Sequence, residues 1–317
     1  MVSSVARIAR QIQRLKSERK AVILSHNYQV GPIQDVADFV GDSLELSYKA
    51  AATDAEVIVF CGVHFMAETA AILCPTKTVL LPDRSAGCGM SEMISVEDVQ
   101  ALRALHPEAV VICYVNSSAA VKAESDICCT SSNAAQVVQS IPEDQEIIFI
   151  PDQHLGAHVM QQTGRQMILY NGYCPSHVRM MASELSEIIS VHPDAPVFAH
   201  PECTTPVHLL SDGIFSTSGI CTAAQNSQAT EIIVATESGI LHRLSKENPD
   251  KTFIPACSWC DCAHMKVNTL EKVLWSLEEM QYAIVVDPEI AVQARQAIDR
   301  MMQMSTPEKE KCLAFMA

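Results

Sequence analysis

A set of landmarks that recurs three times along the 317-residue chain constrains its fold more than any other feature. Each set opens with a short apolar run that ends in polar side chains, and these runs are 21–25, 109–113 and 196–199. Each set holds a hydroxyl residue in a small polar turn, namely Ser43, Ser131 and Thr217. Each ends in a loop with a cysteine, namely Cys88, Cys174 and Cys262. Successive loop cysteines are 86 and 88 residues apart, so we predict a triplicated unit.

Strand-like and helical segments alternate within each unit. The strand-like segments, such as 57–60, 147–150 and 232–235, are continuous apolar runs, which is typical of strands covered on both faces. Alternation of this kind predicts parallel sheets joined by right-handed helical crossovers. We therefore predict an α/β fold of three α/β/α sandwich domains around a pseudo-threefold axis, with the active site at their central junction. The predicted domains are 1–106, 107–192 and 193–317.

Helical periodicity predicts further elements around the sheets. We expect helices at 44–53, 66–73, 176–189, 269–280 and 288–304, and a strand at 282–286. In the first twenty residues, apolar side chains fall on one helical face, and these are Val5, Ile8, Ile12 and Leu15. This spacing favours a docked amphipathic helix, although the basic composition of the segment also resembles a transit peptide.

Charge and cysteine content limit the classes of function. The 22 basic and 37 acidic side chains give a net charge of −15, which opposes binding to the phosphate backbone of nucleic acid. No apolar run approaches the roughly 18 residues of a membrane-spanning helix, so we expect no membrane partner. The thirteen cysteines are an odd number and no secretory signal is recognisable. These features favour the reducing cytoplasm and metal binding over a disulfide scaffold.

Three equivalent cysteines that face one centre indicate a metal site. Structural zinc sites usually pair two Cys-x-x-Cys units, and this chain has one such unit, at 257–260. An iron–sulfur cluster normally takes four cysteines, so three would leave one iron open as a Lewis acid. The alternative is that Cys88, Cys174 and Cys262 are separate packing cysteines.

Hydroxyl and amide side chains at the strand ends and helix starts indicate a binding site for a polar ligand. Ser43, Ser131 and Thr217 stand where helices are expected to begin, so they can cap a helix or bind a small polyanion. Tyr114 and Asn116 follow the first strand of the second unit and suggest binding of a carbonyl or hydroxyl group.

Two histidines end equivalent strands and indicate acid–base chemistry. His26 closes the first strand of the first unit, and His200 closes that of the third. Each precedes a second ionisable residue by two positions, Tyr28 in one case and Glu202 in the other. These pairs are candidates for proton transfer, and structural histidines are the alternative.

Eight short segments together are similar to one known family. They are His-Asn-Tyr at 26–28, Gly-Asp-Ser at 41–43, Tyr-Val-Asn at 114–116, Cys-Thr-Ser-Ser-Asn at 129–133, Asn-Gly-Tyr-Cys at 171–174, His-Pro-Glu at 200–202, Ser-Thr-Ser-Gly at 216–219 and Cys-Ala-His-Met-Lys at 262–266. Over residues 26–270 the chain closely resembles the quinolinate synthases, iron–sulfur enzymes of de novo NAD biosynthesis.

The resemblance implies a cofactor, a reaction and roles for individual residues. The cofactor is a [4Fe–4S] cluster held by Cys88, Cys174 and Cys262. In the implied reaction, iminoaspartate condenses with dihydroxyacetone phosphate to quinolinate, with loss of phosphate and water. The implied substrate contacts are His26, Ser43, Tyr114, Asn116, Ser131, His200, Glu202 and Thr217. The implied catalytic residues are His26, Tyr28, His200 and Glu202, with Tyr28 as the family's mobile tyrosine. An aspartate oxidase or dehydrogenase that supplies unstable iminoaspartate is an expected transient partner.

A run of three cysteines makes the third cluster ligand a separate question. The run contains Cys257, Cys260 and Cys262, and some members of the family have one residue more in the last gap. The repeat period argues against Cys257 but does not distinguish the other two. The family's ligand precedes a Met-Lys pair in the way that Cys262 does here. We therefore predict Cys262 as the ligand and a Cys257–Cys260 disulfide on oxidation, with two inert thiols as the alternative.

Two other classes of function are compatible with parts of the sequence. A redox or iron sensor would use the cluster only to report oxidation, but no DNA-binding motif is recognisable and the net charge opposes one. A cluster-free module that binds small carboxylates would leave the three equivalent cysteines unexplained.

Overall fold

The computed structural model describes residues 4–304, which form three units built on four-stranded parallel sheets with flanking helices. The first sheet contains β1 (Ala21–His26), β2 (Phe39–Gly41), β3 (Val57–Cys61) and β4 (Thr78–Leu80). The second contains β5 (Val110–Tyr114), β6 (Ile127–Cys129), β7 (Ile147–Ile150) and β8 (Ile168–Leu169). The third contains β9 (Val197–Ala199), β10 (Gly213–Ile214), β11 (Glu231–Ala235) and β12 (Thr252–Pro255). The predicted α/β sandwich architecture is confirmed.

All three sheets have the same strand order. The orders are β2-β1-β3-β4, β6-β5-β7-β8 and β10-β9-β11-β12, so the chain makes the same crossovers in every unit. Strands β3 and β7 are buried at every position, because helices cover both faces of their sheets. This burial explains why their sequences are apolar without alternation.

Helices surround the sheets in chain order. The first group is α1 (Ser4–Glu18), α2 (Gly31–Val36), α3 (Ser43–Ala52), α4 (His64–Leu73) and α5 (Val96–Leu105). The second is α6 (Ala119–Ala123), α7 (Ala134–Gln139), α8 (Gln153–Thr163) and α9 (Ala182–Val191). The third is α10 (Thr205–His208), α11 (Thr217–Asn226), α12 (Ile240–Glu247), α13 (Ala263–Lys266), α14 (Leu270–Glu279) and α15 (Pro288–Met304). No helix within residues 4–304 combines the length and apolar character needed to cross a membrane.

An aspartate just before the second strand of each sheet ties that strand to the first. In each unit its Oδ2 accepts a 2.8 Å hydrogen bond from a backbone N–H of the first strand. The aspartates are Asp38, Asp126 and Asp212, and the donors are the amides of Ile23, Val111 and Val197. The aspartates are 88 and 86 residues apart, which matches the repeat period, so they are a further landmark that the sequence analysis missed.

The last two helices pack on the first two units rather than on the third. Helix α14 contacts α1 and β3, and the buried face of α1 contains Ile8, Ile12 and Leu15. The docked-helix prediction therefore agrees with the structure, although Val5 is exposed. Helix α15 contacts α6 and β6 of the second unit and α4 of the first. The boundaries at 106 and 192 stay predictions, and residues 1–3 and 305–317 of the predicted domains lie outside the described part.

Two predicted elements differ in the structure. The predicted helix at 176–189 is a single 3-10 turn, His177–Arg179, followed by α9. The backbone at Met180 and Met181 is extended, which separates the turn that carries His177 from α9.

The predicted strand at 282–286 is wrong. It forms one antiparallel bridge, between Ala283 and Leu80 at the edge of the first sheet. The backbone hydrogen bonds of this pairing lie at 282–284, where Tyr282 exchanges hydrogen bonds with Leu81 and the N–H of Ile284 donates to the carbonyl of Val79 at 2.9 Å. Val285 is 88% exposed, and a strand at this edge would leave it without a core to face.

Candidate active site

The polar landmarks of the three units meet in one cavity at the carboxyl ends of the sheets, where open α/β sheets gather reactive groups. The lining includes all twelve residues that the sequence indicated. These are His26, Tyr28, Ser43, Cys88, Tyr114, Asn116, Ser131, Cys174, His200, Glu202, Thr217 and Cys262. The fold thus brings the predicted residues together, while their individual roles stay predictions.

Each unit contributes one cysteine to the cavity, from the loop that follows its fourth strand. Among the described residues that line the cavity, Cys88, Cys174 and Cys262 are the only cysteines. Burial raises the pKa of Cys88 to about 12 and the pKa of Cys174 well above its ordinary value, and the neighbouring thiols add to both shifts. Three buried thiolates would repel one another, and the iron ions of a cluster would remove that repulsion. The donor set therefore fits an iron–sulfur cluster with one iron not bound by cysteine.

A second set of possible ligand atoms overlaps the first. Cys174 Sγ, His177 Nδ1 and a carboxylate oxygen of Glu202 lie within 4.8 Å of one another. The histidine nitrogen is 3.1 Å from the sulfur and 2.8 Å from Oε2 of the glutamate. Such spacing suits a single ion, whereas a four-iron cluster is wider and needs ligands that stand farther apart. His177 and Glu202 thus place a nitrogen and an oxygen donor next to Cys174, which is one of the three cysteines that line the cavity.

Glu202 is almost fully buried and has a hydrogen-bond partner on each oxygen. Its Oε1 accepts from the Tyr114 hydroxyl at 2.6 Å and from Asn116 Nδ2 at 3.2 Å. Its Oε2 is the oxygen that faces His177. Burial opposes ionisation of this carboxyl, but the pairing with His177 outweighs it and holds the pKa of Glu202 well below its usual range. The side chain is therefore a carboxylate at neutral pH.

A continuous line of hydrogen bonds joins Tyr28 to Glu202. The Tyr28 hydroxyl is 2.6 Å from Thr236 Oγ1, which is 2.9 Å from His177 Nε2. One orientation satisfies every group: the tyrosine O–H donates to the threonine, the threonine O–H donates to Nε2, and Nδ1–H donates to the carboxylate. A proton can therefore pass between the Tyr28 hydroxyl and the glutamate without leaving the protein.

His26 and His200 are held in the same way in two units. The backbone N–H of Tyr28 donates to Nδ1 of His26 at 3.2 Å, and the N–H of Glu202 donates to Nδ1 of His200 at 3.3 Å. The proton of each neutral ring must then lie on Nε2. Burial lowers the pKa of both histidines to about 3, so both rings are neutral at physiological pH. Each ring therefore has an N–H donor at Nε2 and lines the cavity.

Two of the three hydroxyl residues occupy the first position of a ten-residue helix, whereas the helix start predicted at Ser131 is wrong, because α7 begins three residues later at Ala134. Ser43 begins α3 behind Asp42, which caps the helix, and Thr217 begins α11 behind Ser216, which caps that one. Asn27 Nδ2 donates to Thr217 Oγ1 at 2.9 Å and so fixes this hydroxyl across a unit boundary. Helix starts present free N–H groups and a partial positive charge, which favour an anion.

Three residues that were not predicted from the sequence also line or support the cavity. His177 is three residues after Cys174, and Thr236 and Glu237 directly follow β11. The available signal was position, since Thr236 and Glu237 continue an apolar strand at its carboxyl end in the way that the identified residues do. His177 lay inside the stretch interpreted as a helix, so its approach to Glu202 could not be inferred.

The three neighbouring cysteines differ in their bonding and surroundings. Cys257 and Cys260 are joined by a disulfide, as predicted for the oxidised chain, and both are buried. Cys262 remains a free thiol, precedes α13 and lines the cavity. This arrangement supports Cys262 as the third ligand of the predicted cluster.

We expect the free energy of unfolding of the cluster-free chain to fall below pH 6.5, partly through His200. An unfolded chain protonates this histidine near its ordinary pKa of 6.5, whereas the folded chain resists protonation until about 3. Acid therefore favours the unfolded state across this window, and for His200 the loss from pH 7 to pH 5 is about 2 kcal/mol. Urea unfolding at both pH values should show a smaller loss for His200→Gln than for the wild type. Equal losses would contradict the assignment of a neutral buried ring.

Known proteins match this chain over nearly its whole length. The family described as Quinolinate synthetase A protein matches residues 10–303. A quinolinate synthase from Dehalococcoides mccartyi is 52% identical over 297 residues, which cover 94% of this chain and 98% of that protein. One from Thermus thermophilus is 50% identical over 299 residues, covering 93% and 96%. Quinolinate synthase 1 of Methanosarcina acetivorans is 49% identical over 297 residues, covering 94% and 97%. The chain belongs to the quinolinate synthetase A family.

Proposed function

We propose that this chain is an enzyme, a quinolinate synthase of NAD biosynthesis that works in the cytoplasm. It condenses iminoaspartate with dihydroxyacetone phosphate and releases phosphate and water, which makes it a transferase that forms a carbon–carbon bond. One observation carries the proposal. In a member of this family, one cysteine from each of three units faces a cavity lined by two neutral histidines and an ionised glutamate.

Cys88, Cys174 and Cys262 would hold a [4Fe–4S] cluster. Bound there, the cluster would supply a Lewis acid through the iron that lacks a cysteine, which can bind a carboxylate or hydroxyl of the substrate. Substrate binding and proton transfer are carried out by side chains of this chain.

Substrate anions meet hydroxyls and helix starts rather than basic side chains. Among the described residues that line the cavity, none is lysine or arginine. Ser43 and Thr217 offer hydroxyls at two helix N-termini, and Ser131 offers a third hydroxyl from the second unit. The Nε2–H groups of His26 and His200 add donors for carboxylate, phosphate or carbonyl oxygens. Donors of this kind bind anions without forming ion pairs that would hold the product.

Proton transfer is assigned to the line from Tyr28 to Glu202. Tyr28 lines the cavity, and its hydroxyl can take a proton from the substrate while it passes its own proton to Thr236, which passes its own to Nε2 of His177. The carboxylate of Glu202 stabilises positive charge on His177 during that transfer. Condensation, dehydration and ring closure each need such transfers, and a positioned acid–base group typically contributes about 10²- to 10⁴-fold to a rate.

An anaerobic assay with iron and sulfide quantified in the same sample tests the proposal. Iminoaspartate generated in the mixture and dihydroxyacetone phosphate should give quinolinate, and the protein should carry about four irons. Because iminoaspartate is unstable, the enzyme that makes it is a transient partner in this proposal. Omitting that enzyme while supplying aspartate is the matched control and should give no product.

Two other results would replace the proposal. A brown protein with about four irons and no quinolinate would indicate a redox or iron sensor. A colourless protein that binds dicarboxylates would indicate a cluster-free binding module.

A further inference from the structure

Glu237 has no exposed surface, and its carboxylate is occupied at both oxygens. Oε1 accepts the backbone N–H of Cys262 at 3.0 Å and lies 2.7 Å from Lys266 Nζ. Oε2 accepts the backbone N–H of Gly239 at 2.8 Å. Lys266 and the two backbone N–H groups offset part of the cost of burying this carboxylate. One oxygen atom therefore holds both the backbone of a predicted metal ligand and the lysine.

Lys266 carries the connection into the first unit. Its Nζ donates to the backbone carbonyl of Tyr28 at 2.6 Å. The same peptide group packs on Gly239, where a Cβ atom would lie 2.4 Å from the carbonyl oxygen of Tyr28. No residue larger than glycine fits at 239 without moving that peptide. The Tyr28 backbone is thus in direct contact with the third unit.

The carbonyls on either side of Tyr28 are held as well. Gln34 is buried, and its Nε2 donates to the carbonyls of Asn27 at 3.2 Å and Gln29 at 2.7 Å. With Lys266 on the carbonyl between them, three consecutive carbonyls have side-chain donors. Gln34 Nε2 also reaches the third unit, where it donates to the carbonyl of Gly239 at 2.8 Å. Lys266 differs from Gln34 because it is paired with Glu237, the carboxylate that holds the backbone N–H of Cys262.

We propose that Glu237 and Lys266 are positioning residues that couple the metal-ligand loop of the third unit to the Tyr28 turn of the first. The coupling runs from the Cys262 N–H through Glu237 Oε1 and Lys266 Nζ to the carbonyl of Tyr28. It rests on the proposed function, in which Cys262 holds the cluster and Tyr28 transfers protons. Binding of the cluster restrains the backbone at residue 262. Glu237 and Lys266 transmit this restraint to the turn at 27–29. Linkage requires the reverse as well, so order in the turn favours loading.

Hydrogen–deuterium exchange of the full chain, with and without its cluster, measures the coupling directly. Loading should slow exchange of the amides at 27–34 at least tenfold in the wild type, and less than twofold in Lys266→Met. Lys246→Met is the matched control, because Lys246 pairs with Asp35 at the same 2.7 Å distance but does not contact the Tyr28 turn. Slowing in Lys266→Met equal to that in the control would overturn the proposal.

A kinetic double-mutant cycle with Tyr28→Phe separates positioning from general stability. Lys266→Met should lower kcat about 10- to 100-fold when Tyr28 is present, because small displacements of a reacting group cost that much. In the Tyr28→Phe background, Lys266→Met should lower kcat by less than about threefold, because Lys266 acts through Tyr28. Equal factors in both backgrounds would assign Lys266 a structural role only. Lys266→Arg keeps the charge and should restore both protection and kcat.

The outcomes also distinguish this inference from the proposed function. A chain that takes up iron and shows the exchange coupling but makes no quinolinate would refute the function and keep the coupling. A chain that makes quinolinate while Lys266→Met behaves like Lys246→Met would refute the coupling alone, and a chain that takes up no iron refutes both. If Lys266→Met does not fold, the double variant Glu237→Gln/Lys266→Met leaves no unpaired interior charge and takes its place in both measurements.

Discussion

Cys262→Ser should lose the cluster and, with it, all formation of quinolinate. A serine hydroxyl does not ionise in this buried place and so cannot replace a thiolate ligand, and the loop that holds residue 262 leaves little freedom for another residue to substitute. Anaerobically prepared variant protein should contain less than one iron, against about four in the wild type. Iron and sulfide analysis, with the anaerobic quinolinate assay, checks this result.

Cys260→Ser is the matched control for that variant. It changes the same atom two residues away, but Cys260 is paired with Cys257 and does not line the cavity. We expect it to keep about four irons and most of the activity when oxygen is excluded. The opposite pattern of iron content in the two variants would make Cys260 the ligand.

Glu202→Gln should lower kcat by about a thousandfold while leaving the iron content unchanged. The amide keeps the volume of the side chain but removes the negative charge that stabilises His177 and that receives three hydrogen bonds. The glutamine amide also places its N–H₂ group next to one of these hydrogen-bond donors. Two buried donors then face each other without an acceptor, which is unfavourable. Steady-state kinetics at matched iron content measures the effect.

Glu187→Gln on the exposed surface of α9 is the control for this charge change and should behave like the wild type. Activity of Glu202→Gln within a factor of three of the wild type would exclude proton transfer through this carboxylate. Loss of iron together with activity would instead make Glu202 part of the metal site.

The repeated architecture was predictable because every unit repeats the same local chemistry at the same spacing. A buried strand must be apolar throughout, its carboxyl end must carry the reactive side chain, and these requirements recur every 86 to 88 residues. The aspartates at 38, 126 and 212 obey the same period and were still missed. A single polar residue before a strand resembles any turn residue until its backbone partner is known.

The contacts that complete the site could not be predicted, since the partners are far away from each other in the sequence. Thr236 contacts Tyr28 across 208 positions, and Lys266 contacts it across 238. Periodicity within a window of a dozen residues carries no information about such pairs. The helix predicted at 176–189 failed for the same reason. The contact of His177 with Glu202 is a tertiary interaction, and such interactions can override local helix propensity.

The placement of α14 and α15 has a consequence for synthesis of the protein on the ribosome. Leu270, Val273 and Leu277 of α14 share a core with α1, and Ile298 and Met301 of α15 share one with the second unit. Both apolar surfaces belong to parts of the chain that are translated early. Neither is covered until α14 and α15 have been synthesised. At about 5–20 residues per second, the interval from the end of β8 to the end of α15 lasts roughly 7 to 27 s. A nascent chain therefore displays unfinished apolar faces for that time, which makes it a client for chaperones, and a chain cut short before α14 cannot cover them.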